Sequence, residues 1–196
     1  MPVSLVGLGD ESGLSSADMI LREIERMAEM RFLPIVGPRK GQVLAQVIRE
    51  TRPRRVLEVG TLIGYSAILM GKELPSDAEL ITIEVHADEA RRAEENIRRA
   101  AIPPRVKVLV GDALHVIPKL KGEFDLVFLD AEKSEYIDYL RLVEEKLHKG
   151  SVIVADNAGI FADQMREYLN YVRGSGKYQS RYVPVAGDGL EISVRQ

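Results

Sequence analysis

The sequence predicts an α/β protein built on a parallel β-sheet, covered by helices on both faces and finished by an antiparallel pair. Three observations predict it. Short, mostly apolar runs recur at 55–59, 80–84, 106–110, 124–129 and 151–155, as strands buried on both faces require. Helical stretches near 65–74, 87–100, 112–120 and 134–148 separate these runs, which is the alternation of parallel crossover units. Two last runs, 178–185 and 190–195, flank Gly187-Asp188-Gly189, which reads as a hairpin turn.

The remaining elements follow in order. Leu14 to Met30 carries a helical stripe of Ile20, Leu21, Ile24, Met27 and Ala28, with Ser15 or Ser16 as the N-cap. Pro34, Gly37 and Pro38 break the chain, and Gln42 to Arg52 forms a second helix ended by Pro53. A further helix is expected at 161–173. No repeat, linker or low-complexity tract interrupts the pattern, so one domain is expected over 1–196. Residues 1–52 would supply helices covering the site, and 53–196 the sheet core.

Composition narrows the function. The chain has 27 Lys+Arg against 30 Asp+Glu, a net charge of −3, which argues against a general polyanion binder. It has no cysteine, so disulfides, thiolate catalysis, iron–sulfur clusters and zinc ribbons are excluded, and three histidines make a His-rich zinc site a poor fit. Residues 1–20 contain no Lys or Arg, so no basic signal-peptide region is expected. No apolar run approaches the roughly 18 residues that span a bilayer. A cytoplasmic protein with no membrane partner is expected.

The polar residues at the strand ends carry the chemistry. The strand-like runs lead into Glu58-Val59-Gly60, Glu84, Gly111-Asp112, Asp130 and Asp156-Asn157. A single acid there commonly caps the next helix, but five along one edge match the carboxyl edge where open α/β sheets bind ligands. Gly60-Thr61-Leu62-Ile63-Gly64 has the spacing GxxxG and not the GxGxxG of a dinucleotide-binding turn. Gly7-Leu8-Gly9 follows no strand and is discounted. Glu84, 24 residues beyond Gly60, suits a carboxylate accepting ribose hydroxyls. Ribose without a pyrophosphate loop favours S-adenosylmethionine over NAD. Asp130, Asp156 and Asn157 are hard oxygen donors suited to an octahedral cation such as Mg²⁺, and Lys133 in the same loop is a candidate base.

These residues resemble the Mg²⁺-dependent, S-adenosylmethionine-dependent catechol O-methyltransferases and their caffeoyl-CoA and bacterial relatives. The resemblance covers about 30–196. It is carried by Val36-Gly37 with Lys40-Gly41-Gln42, Val56-Leu57-Glu58-Val59-Gly60, Gly64-Tyr65-Ser66-Ala67 and Phe128-Leu129-Asp130-Ala131-Glu132-Lys133. Ala155-Asp156-Asn157, Val172-Arg173-Gly174-Ser175 and Asp188-Gly189-Leu190-Glu191 complete it. It implies a Rossmann-like class I methyltransferase fold with a seven-stranded, mostly parallel sheet. By the same resemblance Val36, Glu58, Gly60, Tyr65, Ser66, Glu84 and Val85 would contact the donor, with Asp112 and Ala113 near its adenine. Asp130, also counted with the donor contacts, would hold Mg²⁺ or another divalent cation with Asp156 and Asn157, and Lys133 would be the base. Substrate contacts would come from Phe32, Lys133, Asn157, Phe161 and Tyr182.

The chain also departs from the family. Ala131 and Glu132 stand where the catechol enzyme has His and Trp, Leu62 replaces a donor-loop Tyr, and Tyr182 falls at a substrate-gripping Glu. Phe32 replaces a Trp gatekeeper, and Phe161 falls at a second wall position. The expected substrate is a small catechol-like molecule with vicinal hydroxyls. The alternatives are a transfer-RNA hydroxyuridine O-methyltransferase of the same fold and an NAD(P)-dependent oxidoreductase. The apolar stripe at 14–30 fits either a seal over the donor pocket or a homodimer contact.

Overall fold

The computed structural model describes residues 13–196, so Gly7-Leu8-Gly9 lies outside the described residues. Ser15 caps the first helix, α1 (Ser16–Met30), in a reciprocal capping box with Asp18. The second helix, α2 (Gly37–Thr51), starts five residues before Gln42 because Pro38 occupies its first turn, where a missing N–H costs nothing. The core then alternates as β1 (Arg55–Val59), α3 (Tyr65–Glu73), β2 (Glu79–Glu84), α4 (Ala87–Ala100) and β3 (Arg105–Val110). It continues through α5 (Ala113–Val116), β4 (Phe124–Leu129), α6 (Tyr136–Val143), β5 (Leu147–Ala155) and α7 (Arg166–Gly174) to the hairpin β6 (Tyr178–Val185) and β7 (Asp188–Arg195).

All seven strands form one sheet in the order β3-β2-β1-β4-β5-β7-β6. β1 to β5 are parallel, and β7 runs antiparallel to both its neighbours, β5 and β6. Alternation within the strands splits the core into two halves. Leu57, Ile81, Val127 and Ile153 pack with α5, α6 and α7 on one face. Val56, Leu80, Leu126 and Val152 pack with α1, α2 and α3 on the other. That two-sided burial is why the inner strands read as largely apolar runs, whereas β3, at the edge of the sheet, is only partly buried.

Further expected boundaries move. The helix expected at 134–148 is α6 flanked by single 3-10 turns, and β5 begins at Leu147, where Leu147 pairs with Phe124 across a register shift. The segment 161–165 is an irregular turn, so α7 begins only at Arg166. The hairpin turn is Ala186-Gly187, both at positive φ (52° and 86°), the type I′ pattern, which leaves Asp188 and Gly189 paired within the sheet. The apolar stripe of α1 packs on α3 and α4, with Ile20, Leu21 and Ile24 buried. Among the described residues no helix is long and apolar enough to cross a membrane.

Candidate active site

Register brings the strand ends abreast. Val59 pairs with Ile83 and Leu129, and Leu129 with Ala155. One ladder bond then follows on each strand: Gly60 N to Ile83 O (3.0 Å), Asp130 N to Val59 O (2.9 Å), Asp156 N to Leu129 O (2.9 Å) and Gly111 N to Glu84 O (2.9 Å). Gly60, Gly111, Asp130 and Asp156 are thus the first residues to leave the sheet on their strands. A cavity of about 900 Å³ opens over this edge, and its wall includes Gly60, Glu84, Asp112, Asp130, Lys133, Asp156 and Asn157. Cofactor-sized sites commonly lie within this size range.

Gly60 is required by geometry. It sits at φ +97°, and a Cβ there would lie 2.2 Å from the Asp130 carbonyl oxygen. The chain can therefore cross from β1 towards α3 against β4 only without a side chain. The loop that follows is fixed by Glu84, which accepts from Leu62 N (2.7 Å) and His86 N (3.0 Å). Each of its oxygens has lone pairs to spare for further donors such as ribose hydroxyls.

The acidic half of the site is tied by cations. Lys133 Nζ donates to Asp130 Oδ1 (3.0 Å) and to the Tyr136 hydroxyl (2.9 Å). Tyr136 in turn donates to the Leu129 carbonyl (3.0 Å). Lys40 Nζ bridges Asp156 Oδ1 (2.6 Å) and Asp188 Oδ2 (2.9 Å). Burial and the neighbouring Asp130 push the Asp156 carboxyl up, and the Lys40 charge opposes them. Burial pulls the Lys40 ammonium down, but Asp156 and Asp188 outweigh it and leave it raised. Asp188 is held down at about 2 although burial opposes this, because Lys40, Ile160 N and Asn157 all donate to it.

Of the residues singled out in the sequence, Phe32, Gly60, Glu84, Val85, Asp112, Ala113, Asp130, Lys133, Asp156, Asn157 and Phe161 share this cavity wall. Asp112 also caps α5 through Leu114 N (2.8 Å) and pairs with His115 (3.0 Å). Five others stand back from the wall. Val36 is buried in the core at the start of α2. Glu58 is fully buried one step inside β1, accepting from the Ser66 and Thr82 hydroxyls, and burial raises its carboxyl to about 8. Tyr65 donates to Glu25 of α1. Tyr182, on β6, donates to the Asp188 carbonyl (2.7 Å).

Sequence reasoning missed Lys40 and Asp188 as a pair, 148 residues apart, and the supporting role of Tyr136. It also missed the apolar Ile35 and Ile160, and Glu135, Tyr139 and Gln164, on the cavity wall. No spacing rule joins Lys40 to Asp188; only the motifs at both ends pointed towards them.

The donor set fits a hard divalent cation. Two carboxylates and a carboxamide oxygen meet at one edge, and Asn157 is held in the left-handed region (φ 62°), which Asn tolerates better than most residues. No group of three His, Cys, Asp or Glu suited to a metal occurs among the described residues, so an all-acidic cage is not an option.

A seven-stranded sheet in this order, with a cavity across its carboxyl edge, defines a Rossmann-like class I methyltransferase. The O-methyltransferase family profile matches residues 12–168. The chain is 38% identical over 183 residues to catechol O-methyltransferase of Mus musculus, covering 86% of this chain and 68% of that protein. It is 34% identical over 163 residues to catechol O-methyltransferase of Mycobacterium tuberculosis, covering 80% and 71%. Among solved structures it resembles the O-methyltransferase TomG of Streptomyces achromogenes, in complex with S-adenosylmethionine. The TM-score is 0.82 at 25% identity, over 98% of this chain and 92% of that one. An O-methyltransferase structure from Klebsiella pneumoniae gives 0.82 at 29% identity, over 97% and 92%. The chain belongs to the O-methyltransferase family, as an S-adenosylmethionine-dependent enzyme of the catechol O-methyltransferase type.

Proposed function

We propose that the protein methylates one oxygen of a catechol-like small molecule, with a divalent cation such as Mg²⁺ at Asp130, Asp156 and Asn157 and with Lys133 as general base. The observation that supports this reading is the clustering of these four residues on one cavity wall, beside the strand-end loop of Gly60 and Glu84. S-adenosylmethionine brings an activated methyl group, so what remains for the protein is the acceptor oxygen and its alignment.

An isolated phenol titrates near pH 10, so at pH 7 about one molecule in a thousand is ionised, a gap of roughly 4 kcal/mol. A bound divalent cation would favour the ionised form of a chelated hydroxyl. Asp130 and Asp156 offer the negative charge that holds such a cation, and Asn157 a neutral oxygen. Lys133 is positioned by two partners, and the Tyr136 hydroxyl, whose O–H donates to the Leu129 carbonyl, meets it with a lone pair. In this reading Lys133 accepts the hydroxyl proton as the oxygen takes the methyl group and S-adenosylhomocysteine leaves. Phe32 and Phe161 present apolar faces suited to an aromatic ring.

The test is methyl transfer from labelled S-adenosylmethionine to 3,4-dihydroxybenzoate, with Mg²⁺ and then with EDTA. Transfer that is lost in EDTA supports the reading; no transfer with Mg²⁺, despite measurable donor binding, overturns the catechol assignment. Lys133→Ala is expected to keep donor affinity and to lose about 10²- to 10⁴-fold in turnover, as general-base removal does. Full turnover in that variant removes Lys133 from the mechanism.

A further inference from the structure

Asp188 is the first residue of β7, just beyond the hairpin turn, and it stands behind the cavity wall. Its carboxylate receives four donors. Lys40 Nζ (2.9 Å) and Asn157 Nδ2 (2.8 Å) meet Oδ2, and the backbone N–H groups of Gly159 (3.1 Å) and Ile160 (3.0 Å) meet Oδ1. The residue is 9% exposed, and its backbone is pinned by the Tyr182 hydroxyl and by Ala158 N bonding to Gly189 O. So many donors on one buried carboxylate are more than strand pairing needs.

The bond to Asn157 is directional. A carboxamide has one donating end and one accepting end, and only its NH₂ can face a carboxylate. Asp188 therefore fixes which way the Asn157 amide lies, with Oδ1 turned from Asp188 and left to accept. A carboxamide free to flip could present its NH₂ to a cation instead. The same carboxylate holds Lys40 against Asp156, and its two backbone bonds fix the turn that carries Ile160 and Phe161 to the cavity.

We propose that Asp188 is a positioning residue, which acts through Asn157 to set the affinity of the site for a divalent cation. The inference rests on the cation site assigned above. Partners that orient a ligand from behind typically change metal affinity 10- to 100-fold when removed.

Mn²⁺ serves as the probe, titrated by the loss of its free-ion paramagnetic resonance signal, with S-adenosylmethionine binding measured alongside. Asp188→Asn is expected to weaken Mn²⁺ binding about 10- to 100-fold while donor affinity changes less than about twofold. The swap of side chains gives the second measurement. Asn157→Asp alone adds a charge to the site, yet faces Asp188 with a second carboxylate and is expected to lose Mn²⁺ affinity. Asn157→Asp with Asp188→Asn restores a donor–acceptor pair and is expected to bind at least about tenfold more tightly than that single variant. No Mn²⁺ uptake by the unmodified chain overturns the cation-site reading and this inference with it. Normal uptake with unchanged affinity in Asp188→Asn, or no recovery in the swap, overturns this inference alone.

Discussion

Gly60→Ala is the substitution whose cost can be worked most directly from the structure. The new Cβ would lie 2.2 Å from the Asp130 carbonyl oxygen, well inside the 3.0 Å below which real Cβ contacts essentially never fall, and the residue would keep a φ of +97°. Holding an L-residue there costs about 1–3 kcal/mol. Relief requires β1 and β4 to part at their ends, which strains the Asp130 N to Val59 O bond, worth about 1 kcal/mol. The alanine offsets up to about 1 kcal/mol by restricting the unfolded chain. The net loss is about 1–4 kcal/mol, or roughly 2–16 °C in Tm for a domain of this size. The displacement falls on the backbone of Asp130, so donor and cation affinity should fall with stability. Calorimetric melting and titration with S-adenosylhomocysteine measure both. A variant that melts within about 1 °C of the parent and binds the donor analogue equally well would refute the close-approach argument.

Lys40→Met leaves Asp156 and Asp188 buried without their shared cation, and breaking such a pair costs about 3–5 kcal/mol. Added Mg²⁺ should raise the melting temperature of this variant more than that of the parent; equal increments would count against a shared role for ammonium and metal. His148 faces acceptors with both ring nitrogens, Lys149 O and Asp125 Oδ1, each at 2.9 Å, so its pKa is raised, first by the backbone bond and then by Asp125. A raised histidine stabilises fully below its unfolded pKa and ceases to do so as pH rises through the folded value. The pair is partly exposed, so the effect is at most about 1 kcal/mol. The urea midpoint of the parent should exceed that of His148→Gln at pH 6, with the gap closing by pH 9; a constant gap would contradict the assignment.

The inner strands were legible because burial on both faces fills them mostly with Val, Ile, Leu and Phe, around a few bonded polar residues such as Glu58 and Thr82. The strand-end acids were legible because a parallel register carries them to one edge. Boundaries moved where local pattern and tertiary role disagree. Phe161 and Ala162 look helical by spacing, yet this turn follows Asn157, whose positive φ redirects the chain, and Phe161 serves the cavity wall. His148 suited a helix end in sequence, but Leu147 is already paired with Phe124 and His148 turns to Asp125 in a cross-strand pair. Glu58 reads as a ligand by position, whereas alternation along β1 turns it into the core, towards Ser66 and Thr82. The Lys40–Asp188 contact had no local signature, since it exists only once both ends of the chain have folded.

The placement of β7 couples the outer hairpin to the site. The outer hairpin is held to the rest of the sheet through β5 alone, with Ala155 opposite Glu191. Asp156 follows directly on that seam, and Asp188 lies on the strand it joins. Fraying of the hairpin and release of a cation held by the proposed site would then be linked equilibria. Cation binding should slow amide hydrogen exchange along β6 and β7, beyond the residues that hold the cation, and leave β3 at the opposite edge almost unchanged.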